Sequence, residues 1–369
     1  MKHSRVTAYR ALTALGPWWL AAVVVPLALL SGCGIAPPKY AFEMPGIGPS
    51  NEQQIVWPSR PEVPRYSFIG HLYGESNTAK GDPDRSGFAS FLATVVGLDE
   101  KASDVVDMIQ PQQVCSDSLG RVYVADSGRQ AIFVFDEKLG EFFIWNETTL
   151  NIPFLSPVGV VFAADTIWVT DSELSLIYRL DLQGNLIGTA GKGIVGRPTG
   201  IAYDSDSGRI FVSDTEESNI KVFDLDGSLV DVWGNTGSSD GGLNRPTFIA
   251  YRDGRLYVSD SLNARIQVFD ALGDYRGTLG QRGLFVGNLA RPKGIALDSD
   301  GNVYVSEGYY DYVVIYNESG ELLMSLGGSG VGVGQFSQPT GLWVDDRDRV
   351  FVSDMLNRRI SMFQYLGEN

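Results

Sequence analysis

Pro198-Thr-Gly-Ile-Ala-Tyr-Asp204, Arg209-Ile-Phe-Val-Ser-Asp214, Asn219-Ile-Lys-Val-Phe-Asp224 and Leu229-Val-Asp-Val-Trp-Gly234 follow one another directly. Each run is short, rich in β-branched and aromatic residues, and closed by Gly, Asp or Ser, so each reads as a strand ending in a turn. The pattern recurs along the chain. Its opening proline returns at Pro111, Pro157, Pro198, Pro246, Pro292 and Pro339. The acid that ends the second run returns as Asp126, Asp171, Asp214, Asp260, Glu307 and Asp354. The proline spacing of 41 to 48 residues is that of a four-stranded propeller blade. Six such marks predict an all-β, six-bladed β-propeller over residues 111–369.

The second runs fit that architecture. Val122-Tyr-Val, Ile167-Trp-Val, Ile210-Phe-Val, Leu256-Tyr-Val, Val303-Tyr-Val and Val350-Phe-Val are apolar on both faces. Strands sandwiched between neighbouring blades require that. The turns before them, such as Asp204-Ser-Asp-Ser-Gly208 and Asp298-Ser-Asp-Gly301, carry residues that bond their own backbone or accept positive φ. The last repeat stops a few residues after Phe363, without room for a fourth strand. Tyr66-Ser-Phe-Ile-Gly-His-Leu-Tyr-Gly74 resembles the fourth strand Tyr275-Arg-Gly-Thr-Leu-Gly280 and is expected to close the ring, which removes a free edge. Phe88, Phe91, Leu92, Val95 and Val96 fall at helical spacing and predict a short helical insertion over 86–98, within a 65–110 segment that also holds the closing strand.

The N-terminus reads as an address. Lys2, Arg5 and Arg10 precede an apolar stretch over 11–30 that ends in Leu30-Ser-Gly-Cys33. Pro17 and Pro26 interrupt the stretch, which argues against a spanning helix. The terminal four residues resemble the lipobox of bacterial lipoproteins. That resemblance implies removal of a signal peptide, residues 1–32, and lipidation of Cys33. Gly34 follows the cysteine, where an Asp would imply retention at the inner membrane, so the resemblance points to the outer membrane. Residues 33–64 then read as the lipidated cysteine and a Pro-rich extended tether, since seven prolines there show no strand or helix period.

Composition narrows the function classes. The chain has 369 residues, 44% apolar and 20% charged, enough for a sizeable core and too apolar for a disordered chain. A net charge of −15 repels a phosphate backbone, so no nucleic-acid partner is expected. Of two histidines, His3 falls in the signal segment and His71 in the closing strand, which rules out a multi-histidine metal site. No Ser/His or Cys/His pair supports nucleophilic catalysis. Cys115 aligns with Ala202, Ala250 and Ala296 and reads as a small core residue.

Val258-Ser-Asp-Ser-Leu-Asn263-Ala-Arg265-Ile-Gln-Val-Phe-Asp270 and Val352-Ser-Asp-Met-Leu-Asn357-Arg-Arg359-Ile resemble the NHL repeat. The Gly-rich lead Gly327 to Phe336 followed by Pro339-Thr-Gly341 matches as well. Blades 1, 2 and 5 diverge, with Arg129, Leu174 and Tyr310 in place of the Asn. With its lipobox, the whole chain resembles bacterial NHL-repeat propeller lipoproteins. The resemblance implies the fold firmly and a function hardly at all. Similar propellers include amidating lyases, lactonases and streptogramin-type lyases, and the histidine-dependent ones lack their counterpart here.

The six acids stand at one rim. Their repetition in every blade points to a structural role, each tying its own loop through backbone N–H groups. Departures from symmetry are better candidates for contact: Tyr309, Tyr310 and Tyr312 in blade 5, Glu216 and Glu217 in blade 3, Arg129 and Arg265. The Asp-rich turns lack the later bidentate acid of a calcium loop. Gly328-Ser-Gly-Val-Gly332 leads into a strand, without the helix start that pyrophosphate binding uses. The expectation is a non-catalytic protein-interaction or scaffold module in the cell envelope, with no cofactor and no resident metal. Two alternatives stay open: a carboxylate- and calcium-dependent hydrolase or lyase acting in the channel, and a carbohydrate-binding propeller.

Overall fold

The computed structural model describes residues 41–42, 55–79, 105–146 and 152–367. The expected signal peptide, Cys33, most of the expected tether and the helix expected over 86–98 lie outside them. Five four-stranded antiparallel sheets and one five-stranded sheet form six blades. Blade 3 shows the plan: Pro198–Asp204, Arg209–Asp214, Asn219–Asp224 and Leu229–Trp233 run from the axis outward. The first strand carries a register shift just after its proline, where Pro198 faces Asp214 and pairing resumes at Ile201–Val212. The same shift recurs in the other five blades. Proline has no N–H for the ladder, so the strand bends there.

The described residues form six hydrophobic clusters in place of one core. Each cluster of buried side chains is shared by two neighbouring blades, as when Tyr304, Val313 and Ile315 of blade 5 pack on Val350, Val352 and Phe363 of blade 6. Second strands are therefore buried on both faces and fourth strands are not: Arg209–Asp214 is buried from Ile210 onward, whereas in Leu229–Trp233 only Trp233 is buried.

In blades 2, 3, 5 and 6 the first strands lie so close to the next blade that glycine is required at their third position. A Cβ on Gly159 would stand 2.4 Å from the Thr199 carbonyl oxygen, and one on Gly294 would stand 2.3 Å from that of Thr340. The close approach is used. Thr170 Oγ1 accepts from Gly159 N at 2.8 Å and donates to the Thr199 carbonyl of the next blade at 2.6 Å. Ser306 repeats this between Gly294 and Thr340, at 2.7 and 2.5 Å.

The ring closes with a composite blade. Tyr66–Leu72 pairs antiparallel with Arg359–Tyr365, from Tyr66↔Tyr365 to Leu72↔Ile360. A further strand, Val56–Trp57, pairs outside it. This strand lies within the stretch read from sequence as tether. Two residues are too few for a visible period; the available signal was a single large aromatic among prolines. Trp57 packs edge-on to Phe363 with ring centroids 5.4 Å apart.

His71 sits in the closing strand. Its Nε2 accepts from Arg359 Nη1 at 3.1 Å, and its Nδ1 lies 3.2 Å from Ser361 Oγ, which fixes a neutral ring with the proton on Nδ1. Burial first, and the Arg359 guanidinium second, hold its pKa down at about 4. As pH falls from 6.5 to about 4, the unfolded chain takes up this proton and the folded one does not, so stability falls across that window. The melting temperature should drop over this range in the native protein. The drop should be smaller in His71→Gln, which keeps an acceptor without titrating; parallel pH profiles of the two proteins would remove this role from His71.

Candidate functional site

At the rim, the loops entering each blade meet the turns between second and third strands, and the six acids stand at that junction. All six are fully buried. In each, both carboxylate oxygens accept hydrogen bonds. Asp214 takes Gly196 N and Arg197 N, at 2.7 and 3.0 Å, from the entering loop. It also takes Glu216 N and Glu217 N, both at 3.1 Å, from its own turn. Asp171 does the same with Leu155, Ser156, Glu173 and Leu174. Asp126 binds Ile109, Gln110 and Arg129 N–H groups, and Glu307 binds those of Ala290, Arg291 and Tyr309. Burial pushes the carboxyls of Asp126 and Asp354 up, and the donors around them pull down.

In blades 4 and 6 an arginine joins the acid. Arg265 Nε donates to Asp260 at 2.8 Å, while Nη2 reaches Ser239 and Gly242 carbonyls in the entering loop. Arg265 thus serves as an internal brace, and its side chain is only 14% exposed. Arg359 likewise binds Asp354 and the carbonyls of Val331, Gly332 and Gln335. These braces hold Gly-rich loops in one shape.

The other sequence candidates are scattered over the rim. Tyr309, 68% exposed, meets Tyr310 edge-on at 4.9 Å, and Tyr310 stacks parallel to Tyr312 at 5.7 Å. Burial, then Glu307, pushes the Tyr312 hydroxyl up to about 12, so it stays protonated. Asp311 between them accepts from Ser329 Oγ and Gln338 N, both at 2.7 Å. Glu217 pairs with Lys221, and Glu216 is exposed beside it. Arg129 donates through Nε to the Asp107 carbonyl at 2.7 Å.

Two features of this face escaped sequence reasoning. In blades 1, 3 and 4 the residue after the proline meets the residue after the acid: Gln112 with Ser127 at 3.0 Å, Thr199 with Thr215 and Thr247 with Ser261 at 2.7 Å. In blade 5 the pair is Lys293 and Gly308, and a Cβ on Gly308 would stand 3.4 Å from Lys293 Cγ, in ordinary contact. Burial, then Arg291, lowers the Lys293 pKa. Aligning the positions after the marks would have exposed this pair.

The second feature is apolar. Leu262, Tyr309 and Leu356 protrude from the turns of blades 4, 5 and 6, and Leu284, Phe285, Val286, Val331 and Val333 from the loops between those blades. Leu284 is 85% exposed, Phe285 82% and Val331 77%. Arg282 Nη2 ties the first of these loops to the Leu262 carbonyl at 2.6 Å.

Fold and rim together define a six-bladed β-propeller built from sequence repeats. Three of those repeats are NHL repeats: the NHL repeat family matches residues 109–135, 196–223 and 243–269, in blades 1, 3 and 4. Comparison with curated proteins gives no match. Among solved structures, an auxiliary nutrient binding protein from Bacteroides thetaiotaomicron is similar with TM-score 0.55 and 15% identity, over 72% of this chain and 71% of that one. A streptogramin B lyase is similar with TM-score 0.53 and 16% identity, over 69% and 93%. Virginiamycin B lyase from Staphylococcus aureus gives 0.51 and 16%, over 70% and 95%. At such identities the likeness is one of fold.

The buried acids should differ in cost when altered. Asp354→Asn strands the Arg359 guanidinium and should cost roughly 3–5 kcal/mol. Asp171→Asn, where only backbone N–H donors lose a charged acceptor, should cost roughly 1–3 kcal/mol. Urea unfolding measures both, and the reverse order would discredit the arginine braces as stabilising elements.

Proposed function

We propose that this propeller is a non-catalytic recognition or scaffold module of the cell envelope, exported by its N-terminal segment and held at the outer membrane through lipid on Cys33. The observation that carries the reading is the asymmetry of the rim face. Large apolar side chains crowd the turns and loops of blades 4–6, and the loop bearing Val331 and Val333 is fixed by Arg359. On the opposite face Leu119, Leu139 and Leu272 stand singly in hairpin turns. Apolar crowding on one face marks protein contact. Fixed loops lower the entropy that binding must overcome. The ring of acids supports no cation-dependent chemistry in this reading, because both oxygens of each acid already serve N–H donors. The partner is accordingly another protein with a complementary apolar surface.

Crosslinking of the tagged full chain in its native membrane, followed by purification, tests the partner. One stoichiometric protein is expected. Its recovery should fall at least tenfold in a Phe285→Ser/Val331→Ser double variant and stay unchanged in Leu272→Ser on the other face. Equal recovery from all three proteins would refute the assigned surface. Glycan binding lost in Tyr310→Ala, with no protein recovered, would favour the carbohydrate alternative. Cys33→Ala should abolish labelling by a fatty-acid analogue and release the protein from the membrane fraction; continued labelling would disprove the anchor.

A further inference from the structure

The axial channel widens at the end away from the acids into a cavity of about 210 Å³. Its walls come from the first strands. Four half-buried aromatic rings from four blades line it: Phe162, Tyr203, Tyr251 and Trp343. The rings are held in place. Trp343 Nε1 donates to Ser116 Oγ at 2.9 Å, and Tyr251 stacks on Phe211 at 5.1 Å.

Two of the lining residues break the sixfold pattern. At the third position of the first strands, blades 2, 3, 5 and 6 carry Gly159, Gly200, Gly294 and Gly341, and blade 4 carries Phe248; blade 1 carries Gln113. At the fifth position the other blades carry Cys115, Val161, Ala202, Ala250 and Ala296; blade 6 carries Trp343. Blades 6 and 1 are neighbours in the ring, and Gln113 and Trp343 line the same cavity, whereas Phe248 does not.

Gln113 is 5% exposed and reaches across to blade 3, where Nε2 donates to the Ile201 carbonyl over a long 3.4 Å. The acceptor there is an oxygen, so the amide cannot be turned round, and Oε1 is the free end. Oε1 is buried and has no hydrogen-bond partner. A buried acceptor left without a donor is costly, of order 1–3 kcal/mol, and a ligand donor in the cavity would remove that cost.

We infer that this cavity is a binding site for a small planar molecule, whose ring lies among the four aromatics and whose N–H group is taken up by Gln113. The size suits a bicyclic ring, since a cavity of about 150 Å³ already holds benzene. Aromatic and aliphatic walls with a few placed polar groups, here Gln113, Arg252 and Asp346, are the usual make-up of small-molecule pockets. Arg252 and Asp346 stand at the lining with opposite charges, so the site favours neutral or zwitterionic molecules over strongly charged ones. The site lies on the face opposite the apolar patch and is independent of it.

Indole is the probe, with benzofuran as the control of equal shape that lacks the N–H donor. Calorimetric titration of the full chain should show one indole site with submillimolar Kd. Benzofuran should bind about tenfold more weakly. Gln113→Leu should bring indole to the benzofuran level while leaving the melting temperature unchanged or raised, because it removes the orphaned acceptor. Trp343→Ala should weaken both ligands. No indole binding at millimolar concentration would overturn the site, and equal binding of indole and benzofuran would overturn the role of Gln113. The Phe285→Ser/Val331→Ser variant should bind indole as the native protein does.

Discussion

One buried carboxylate at the end of each second strand holds two pieces of chain that would otherwise be free. The connection arriving from the preceding blade and the turn leaving for the third strand both direct N–H groups at it, as the four bonds to Asp214 show. A charge in this position would be costly if left unpaired. Surrounded by three or four donors, it becomes the point that fixes where one blade ends and the next begins. The hydroxyl bridges nearer the axis depend on that placement. Thr170 and Ser306 can reach the carbonyl of the next first strand only because glycine at the third position lets the strands touch.

A staple repeated in every blade cannot also distinguish a ligand, since its oxygens are already occupied. Function in such a ring therefore belongs to the exceptions. Blade 5 exchanges a hydroxyl pair for Lys293 and Gly308 and gathers three tyrosines in its turn. Blades 4 and 6 add arginines that extend the staple into the Gly-rich loops. Blades 6 and 1 place Trp343 and Gln113 in the channel. These exceptions fall on two opposite faces, one broad and apolar, one narrow and concave. The two shapes suit a macromolecule and a small molecule respectively.

The repeats made the blades legible, because proline and acid recur at fixed places and each has one physical reason to be there. The closing strand was legible by likeness to other fourth strands. Arg265 was misplaced among the outward contacts because sequence shows a basic residue near an acid but not that the entering loop folds back over both. Val56–Trp57 was hidden by its length. Gln113 and Trp343 carry no motif; only the comparison of equivalent positions around a ring, once its register is known, sets them apart. The apolar crowding of blades 4–6 was hidden for a different reason: its members lie in separate loops that the fold alone brings to one face.

The strands Val56–Trp57 and Tyr66–Leu72 and the rim loops are not independent parts. The loop bearing Val331 and Val333 is held from one side by Arg359 and from the other by Trp57, whose ring lies where a Cβ on Gly334 would stand, 2.2 Å from Cζ2. Gly334 has φ +69°, so glycine is required there on two counts. Arg359 in turn touches His71 in the closing strand. The closing strand, the arginine, the loop and the apolar surface thus form one connected unit. Protonation of His71 would set a second positive charge against Arg359 and remove an acceptor from it. Ring closure and the shape of the apolar rim face are therefore governed by the same few contacts.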